Sequence, residues 1–571
     1  MSHAIPQAVS PWRLVVVYAA LSVGLLVLLW RGIDLHVFHR DFLQEQGDAR
    51  YLRVVTVPAH RGMITDRNGE PLAISTPVDS VWINPQEFDA TLAQQRQLAK
   101  LLEFEPGRIQ SLLAERGDKS FVYLKRRINP ERAAAVMALN VPGVALQREY
   151  RRYYPTGEVC AHVVGFTNVD DVGQEGLELA YDDWLRGDPG SKRVIKDRLG
   201  RIVENVESIQ EPRPGKDLAL SIDRRIQYLA YRELKRAVLE HRARSGSAVV
   251  LDARTGEVLA MGNQPSYNPN NREDLKSSHY RNRAVTDVFE PGSTIKPFTM
   301  VAALESGKYR PQSVIDTAPG YYRLAGNMIR DVRNYGRINL TTVIQKSSNV
   351  GASRIALSLP ARDMWNVFTQ VGFGMVTGSG FPGEAGGSLS PYERWRPIEQ
   401  ATLAFGYGLS VTTLQLAHGY AALADNGCLP TVSFVRLDHA PTSCQPVIPP
   451  AIVRQVRQMM EAVVSDGGTG VRAQIPGYRV AGKTGTVRKA GVGGYEAERY
   501  EGIFAGMAPA SDPRLVMVVA INEPSDGEYY GGEVAAPVFE KVMAGALRLL
   551  DIAPDDLPAV KTQLASLGAR P

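Results

Sequence analysis

"EPGSTIKPF" runs from Glu290 to Phe298, and the fold turns on how it is read. Pro291 and Gly292 break whatever precedes them. From Ser293 to Ser306 the residues favour helix, with Gly307 as its C-cap. Ile295, Phe298 and Ala302 form one apolar stripe at helical spacing, so that side of the helix is expected to be buried. Pro297 costs little within the first turn, where few backbone donors have helical partners. Positions i and i+3 share a face, so Ser293 and Lys296 would point into the same space, the serine at the positive end of the helix dipole. Two readings stand. The stretch is a helix start that happens to carry a lysine, or a nucleophile with its base one turn away. Ser-x-x-Lys is common by chance and does not separate them alone.

Composition narrows the field. A chain of 571 residues, 44% hydrophobic and 22% charged, has the balance of an ordinary folded protein with room for several domains. A net charge of +5 is too mild for this length to suggest nucleic acid, and Lys125-Arg126-Arg127 reads as a solvated face. Three cysteines do not make a disulfide-dense scaffold. No Cys-x-x-Cys or His-Glu-x-x-His metal pattern occurs, and His418 reads as a packed or surface residue. Near the start, "LVVVYAALSVGLLVLLW" (Leu14 to Trp30) is uncharged between Arg13 and Arg31 and is not followed by a small-x-small cleavage site. It reads as an uncleaved transmembrane signal anchor, with a buried core helix as the alternative. Arginines on both sides leave the positive-inside rule nearly silent, but a short tail before the anchor and a large body after it favour export of the body.

Beyond the anchor the texture changes twice. Residues 51–213 mix short β-like runs, turns and charged patches, and "EPRPGKD" (Glu211 to Asp217) reads as a domain boundary. "SAVVLDARTGEVLAMG" (Ser247 to Gly262) predicts a β-hairpin around a Thr-Gly turn. Helical patterns follow, then strand-like runs at Tyr478 to Val487, Tyr500 to Met507 and Leu515 to Ile521, and an amphipathic helix from Ala535 to Leu550. Strands at both ends with helices between predict an α+β domain around a mainly antiparallel sheet. The glycine-dense stretches Gly372 to Gly387 and Gly491 to Gly494 are expected to be mobile loops.

Two more motifs bear on the opening question. "KSSNVG" holds Ser347-Ser348-Asn349, a hydroxyl and an amide pointing the same way; alone, such pairs usually serve turns and caps. "AGKTGTV" holds Lys483-Thr484-Gly485-Thr486, a cation and two hydroxyls around a glycine that permits close approach. Gly477 to Thr484 also fits the phosphate-loop pattern G-x-x-x-x-G-K-[ST], which makes a nucleotide-binding protein the rival. That pattern needs a helix opening at the Lys-Thr, and the Gly-Thr-Val that follows argues against one.

In this order, Ser-x-x-Lys, Ser-x-Asn and Lys-Thr-Gly resemble the signature of penicillin-binding proteins and serine β-lactamases. The chain also resembles the class B penicillin-binding proteins more widely. "RGMITDRNGEPLA" (Arg61 to Ala73), "RRYYPTGEVCAHVVG" (Arg151 to Gly165) and "GQEGLE" (Gly173 to Glu178) resemble the family's N-terminal pedestal. "FGYGLSVTTLQLA" (Phe405 to Ala417) and "YYGGEVAAPVF" (Tyr529 to Phe539) resemble its catalytic domain, particularly that of the septal member. The resemblance implies a transpeptidase domain of penicillin-binding type, an antiparallel sheet flanked by helices, on a β-rich pedestal behind one transmembrane helix. The division expected is a cytoplasmic tail (1–13), anchor (14–30), juxtamembrane segment (31–50), pedestal (51–214), transpeptidase domain (215–555) and C-terminal tail (556–571). No glycosyltransferase region fits between anchor and pedestal, and no repeat domains follow the catalytic domain, a Gram-negative pattern.

By the same resemblance Ser293 is the nucleophile toward the D-Ala-D-Ala carbonyl of peptidoglycan stem peptides and Lys296 its base. Ser347 relays a proton, Asn349 holds the substrate amide, and Lys483, Thr484, Gly485 and Thr486 bind the terminal carboxylate. No metal or organic cofactor is implied. The implied partners are stem peptides and their lipid-linked precursor, β-lactam antibiotics, a septal glycan polymerase with other division proteins, and the membrane, but no nucleic acid. The implied place is the bacterial inner membrane, with the catalytic domain in the periplasm. Elongation-type transpeptidase, carboxypeptidase or β-lactamase-type hydrolase, and a non-catalytic β-lactam sensor are the alternatives. Against hydrolysis, none of Glu384, Glu393, Glu399 and Glu461 lies in the Glu-x-x-Leu-Asn setting of a deacylating base. Cys428 and Cys444 are left open between a disulfide in an oxidising compartment and two free thiols.

Overall fold

The computed structural model describes residues 11–42, 52–196, 202–273, 276–439, 444–491 and 494–556. Most of the expected cytoplasmic tail, the end of the juxtamembrane segment, nearly all of the C-terminal tail and the centre of the Gly491–Gly494 loop lie outside them.

Helix α1, Pro11–Ile33, contains the apolar run, and its described residues bury no side chain in protein. It is long and apolar enough to cross a membrane. The chain forms two compact units, α1 falling with the first.

The first unit takes in 77–151 and 187–214. Strand β1, Leu52–Val57, pairs antiparallel with β5, Gly190–Lys196, which pairs in turn with β6, Ile202–Gln210. A second sheet joins β2, Pro71–Ile83, to β3, Val122–Ile128, and β4, Val144–Tyr153. Helices α2, Leu92–Leu102, α3, Arg108–Arg116, and α4, Pro130–Met137, turn Leu98, Leu102, Ile109, Leu112 and Val136 into a core with Val81, Ile83 and Leu124. Helix α2 is started by a reciprocal capping box between Thr91 and Gln94. The basic run is paired rather than merely solvated: Lys125 meets Glu103 at 2.9 Å and Arg126 meets Glu149 at 2.9 Å.

The second unit comprises 61–76, 152–186 and 215–571. Two segments that precede residue 215 therefore fold with it, and Ile64, Leu72, Ala73, Tyr154 and Leu177 belong to its core. They are tied by buried charge. Arg61 reaches Glu178 at 2.7 Å and Asp182 at 2.7 Å, and Arg152 reaches Glu178 at 2.6 Å. Removing one partner would strand a buried charge, which is costly.

The predicted hairpin is present as β7, Ser245–Asp252, and β8, Val258–Gln264. With β11, Ala481–Gly491, β12, Gly494–Ala508, and β13, Leu515–Asn522, it makes an antiparallel five-stranded sheet of order β8-β7-β13-β12-β11. The sheet is covered on both faces. Leu515, Met517, Val519 and Ile521 face α5, Arg224–Glu240, and α10, Ala536–Leu549. Val516, Val518 and Ala520 join the opposite core, with α6, Lys296–Glu305, α8, Thr413–Ala424, and α9, Pro450–Val464. Such two-sided burial produces the near-continuous apolar run "LVMVVAI".

Two details differ from expectation, and of the two alternatives left open for the cysteines the disulfide is present. The helix after Ser293 is buried all round, from Lys296 to Leu304, rather than on one stripe. The stretch from Gly372 to Gly387 is irregular but tied down. Gln415 Nε2 donates to the carbonyls of Met375 and Gly386, and Glu384 accepts from the Thr377 N–H at 2.7 Å and from Ser379 Oγ at 2.8 Å. Cys428 and Cys444 are joined as a disulfide, with Cα atoms 5.5 Å apart.

Candidate active site

The nucleophile candidate sits on a 3₁₀ turn, Gly292–Ile295, that runs directly into α6. At three residues per turn, i and i+3 eclipse, and Lys296 Nζ lies 2.9 Å from Ser293 Oγ. The turn is pinned from beneath: the Gly292 N–H donates to Gly406 O at 3.1 Å, and the buried Tyr420 hydroxyl donates to Thr294 O at 2.7 Å. Gly406, at φ +88°, carries no Cβ because one would lie 2.0 Å from Gly292 O. Gly485 lets β11 approach the same turn; a Cβ there would meet Pro291 O and Thr294 Cγ2 at 3.0 Å.

The second motif spans the gap between the helix Leu340–Gln345 and α7, Asn349–Leu357. Ser347 is held at φ +58°, in the left-handed region that a non-glycine residue occupies only when its surroundings impose it. Its N–H donates to Ile344 O and that of Ser348 to Val343 O. Outside any motif lies Asp331. One carboxylate oxygen accepts from the Asn349 N–H at 2.6 Å and the Val350 N–H at 2.9 Å, and the other from Ser348 Oγ at 2.6 Å. A carboxylate thus caps the N-terminus of α7, where the exposed N–H groups and the dipole favour it.

Lys296 gathers these parts. Besides Ser293 Oγ, its Nζ lies 2.6 Å from Ser347 O, 2.8 Å from Asn349 Oδ1 and 3.2 Å from Ser347 Oγ. Burial, and then the neighbouring charge of Lys483, hold its pKa well below the usual lysine range, against a smaller opposing pull from Asp331. A neutral amine has two N–H bonds and one lone pair. The carbonyl of Ser347 and the amide oxygen of Asn349 can only accept, so they take the two N–H bonds and leave the lone pair to the Ser293 hydroxyl.

Lys483, on β11, is buried, and burial lowers its pKa to about 7. Its Nζ donates to Ser347 Oγ and to Thr484 O, each at 3.0 Å. Thr484 Oγ1 shares a hydrogen with Thr469 Oγ1 at 2.7 Å. Thr486 Oγ1 accepts from the Gly531 N–H at 3.0 Å, which leaves its own proton to donate outward. The eight residues singled out by motif therefore fall in one cleft. Asp331, Tyr420 and Thr469 support it without any local signal in the sequence, and Gly531 supports it from the quoted stretch Tyr529 to Phe539. Because Lys483 and Thr484 lie inside a strand, no helix N-terminus is present to bind phosphate, and the phosphate-loop reading fails.

Comparison with known proteins agrees. Residues 246–544 match the penicillin binding protein transpeptidase domain, and 56–220 match the penicillin-binding protein dimerisation domain. The chain belongs to the penicillin-binding protein transpeptidases. This penicillin-binding protein is 46% identical over 551 residues to peptidoglycan D,D-transpeptidase FtsI of Escherichia coli K12, covering 96% of this chain and 93% of that one. It is 44% identical to the probable peptidoglycan D,D-transpeptidase PbpC of Pseudomonas aeruginosa, over 96% of this chain and 98% of that one. Among solved structures, the transpeptidase domain of Burkholderia pseudomallei penicillin-binding protein 3 matches with a TM-score of 0.55 and 43% identity, covering 59% of this chain and 98% of that one.

Proposed function

We propose that this penicillin-binding protein is a septal peptidoglycan D,D-transpeptidase, acting through a serine acyl-enzyme. The observation that carries the reading is the buried Lys296 amine, 2.9 Å from Ser293 Oγ and facing two groups that can only accept, Ser347 O and Asn349 Oδ1. In the first step Lys296 takes the Ser293 proton as Oγ attacks the D-Ala-D-Ala carbonyl. Cationic Lys483, with the hydroxyls of Thr484 and Thr486, holds the terminal carboxylate, and Gly485 keeps the strand close to the serine turn. The backbone N–H groups of Ser293 and Thr486 would receive the developing oxyanion. Ser347, within reach of both lysines, returns a proton to the leaving D-Ala nitrogen, and Asn349 holds the substrate amide. An amine of a second stem peptide then attacks the ester and forms the cross-link. None of these steps calls for a metal or organic cofactor.

By this reading α1 anchors the protein in the inner membrane with the catalytic unit in the periplasm, where it meets lipid-linked precursor, a septal glycan polymerase and other division proteins. By sequence the chain divides into the pedestal (51–214) and the transpeptidase domain (215–555).

A hydrolase of the same fold is the second reading, and the occupied glutamates oppose it. Glu384 accepts from Thr377, Glu399 from Arg396 and Glu461 from Arg479. Among the described residues no carboxylate bonds to Ser293 or Ser347, so water lacks an oriented base worth about a hundredfold or more in rate. The test is labelled penicillin followed by intact mass. A persistent adduct on Ser293, absent from Ser293→Ala, together with cross-linking of lipid-linked peptidoglycan beside a glycan polymerase, supports transpeptidation. Loss of the adduct within seconds, with repeated turnover, would make the protein a hydrolase.

A further inference from the structure

Ser245, Asn522 and Glu501 stand side by side on β7, β13 and β12, and with Lys489 of β11 they border a hollow of about 60 Å³. That is room for about two waters. Arg283 and Asp287 close it from the segment before the serine turn, and Thr413 closes it from α8. No step above uses it.

The charges around the hollow are unevenly shared. Glu501 is only 8% exposed, and among the described residues its carboxylate has neither an ion-pair nor a hydrogen-bond partner. Glu523, one residue past Asn522, has three cations instead: Arg499 at 2.7 Å, Lys489 at 3.1 Å and Arg244 at 3.4 Å. Asp287 is held by Arg281 at 2.5 Å, with Arg283 at 3.9 Å. A buried carboxylate without a partner is costly as an ion and tolerated as an acid. Burial first, opposed by Lys489 and assisted by Asp287 and Glu523, pushes the pKa of Glu501 up to about 7. Of the nearby cations, Lys489 is the one placed to change sides. Its Nζ donates to Asn522 Oδ1 at 2.6 Å, and Glu523 would keep two arginines without it. It also sits where the β11–β12 register breaks, just past the Arg488–Tyr500 pair, on a long flexible stem.

We infer that Glu501 and Lys489 form a proton-operated latch at the break in the β11–β12 ladder. With Glu501 protonated, Lys489 stays on Asn522 and Glu523. When Glu501 gives up its proton, the ammonium crosses the hollow to the carboxylate and the end of β11 is drawn against β12. The strand so tightened carries Lys483 to Thr486, because Thr486 and Val487 pair with Gly502 and Glu501. The latch is independent of which acceptor the site serves.

Hydrogen exchange on the full chain between pH 5.5 and 8.5, corrected for the intrinsic rate at each pH, tests it. Peptides covering Val487 to Lys489 should gain protection with a midpoint near pH 7. Glu501→Gln, which keeps the shape and cannot ionise, should abolish that gain, and so should Lys489→Met. Melting gives a second reading. The folded pKa of Glu501 is raised above its ordinary 4.5, so its contribution is intact at low pH and is lost as the pH rises toward 7. The melting temperature of the wild type should therefore fall relative to Glu501→Gln over that range. In Lys489→Met the fall should extend about one unit higher, because the favouring cation is gone. The ratio of penicillin acylation rates, wild type over Glu501→Gln, should be close to one at pH 6 and rise with the same midpoint. The limb from Lys483 is common to both and cancels. A flat ratio, a protection step that survives either substitution, or melting curves that run parallel in wild type and Glu501→Gln would overturn the latch. If Glu501→Gln does not fold, the protection step in wild type against Lys489→Met still decides.

Discussion

A neutral amine at the bottom of a cleft has to be made, because lysine in water is a cation. Full burial and then Lys483 push the pKa of Lys296 well down, toward the neutral amine, whose lone pair the Ser347 carbonyl and Asn349 amide would then aim. Arginine cannot play this part, since guanidinium stays protonated. Lys296→Arg should slow penicillin acylation by about a hundredfold or more, the usual worth of a general base, while melting stays close to wild type. Acylation within tenfold of wild type would remove Lys296 as the base. The two lysines also predict opposite pH limbs. The rate constant for a carboxylate-bearing β-lactam should rise with pH as Lys296 loses its proton. It should fall again as Lys483, with its pKa near 7, loses the charge that binds the carboxylate. A falling limb near the ordinary lysine value of 10.5 instead would mean Lys483 is not depressed. Spacing made Ser293 and Lys296 legible in the sequence. Their setting was not, because a lysine in a helical pattern ordinarily marks the solvent face, and here every residue from Lys296 to Leu304 is buried.

Among the elements, the sheet was easy to read and the second motif hard. The near-continuous apolar run of β13, buried on both faces, and the Thr-Gly turn between β7 and β8 are local patterns that survive into the fold. The support of α7 is not local, since Asp331 lies 18 residues before Asn349, in a stretch without helical or strand periodicity. Only the fold brings its carboxylate to the helix N-terminus. Asp331→Ala would strand two backbone N–H groups and the Ser348 hydroxyl, a cost of about 1–3 kcal/mol. It would also free Asn349 to drift from Lys296. The expected outcome is a lower melting temperature together with slower penicillin acylation, and Asp331→Asn should recover part of both. Unchanged stability and acylation in the alanine variant would show that α7 is held by other means.

At the scale of the molecule, α1 was visible as an uninterrupted apolar run, whereas the division of labour between units was not. Contiguous reading cannot reveal that 61–76 and 152–186 fold with the catalytic unit, because that depends on contacts far apart in sequence, such as the Leu220 N–H on Thr65 O and the Tyr154 N–H on Asn270 Oδ1. Since α1 buries no described side chain in protein, deleting residues 1–42 should move the protein from the detergent phase to the aqueous phase and keep its penicillin labelling. Loss of labelling would tie α1 to the fold of the catalytic unit. The order of the five strands has its own consequence. β11 is the last strand, paired on one side only, so one row of its main-chain groups has no partner strand. Such an edge recognises another chain by its amide dipoles, as an added strand, and is indifferent to which side chains that chain carries. Any compact molecule that presents one amide and one carboxylate at peptide spacing can therefore pass for substrate. On the proposed reading, exposure to β-lactams follows from the blindness of that sheet edge.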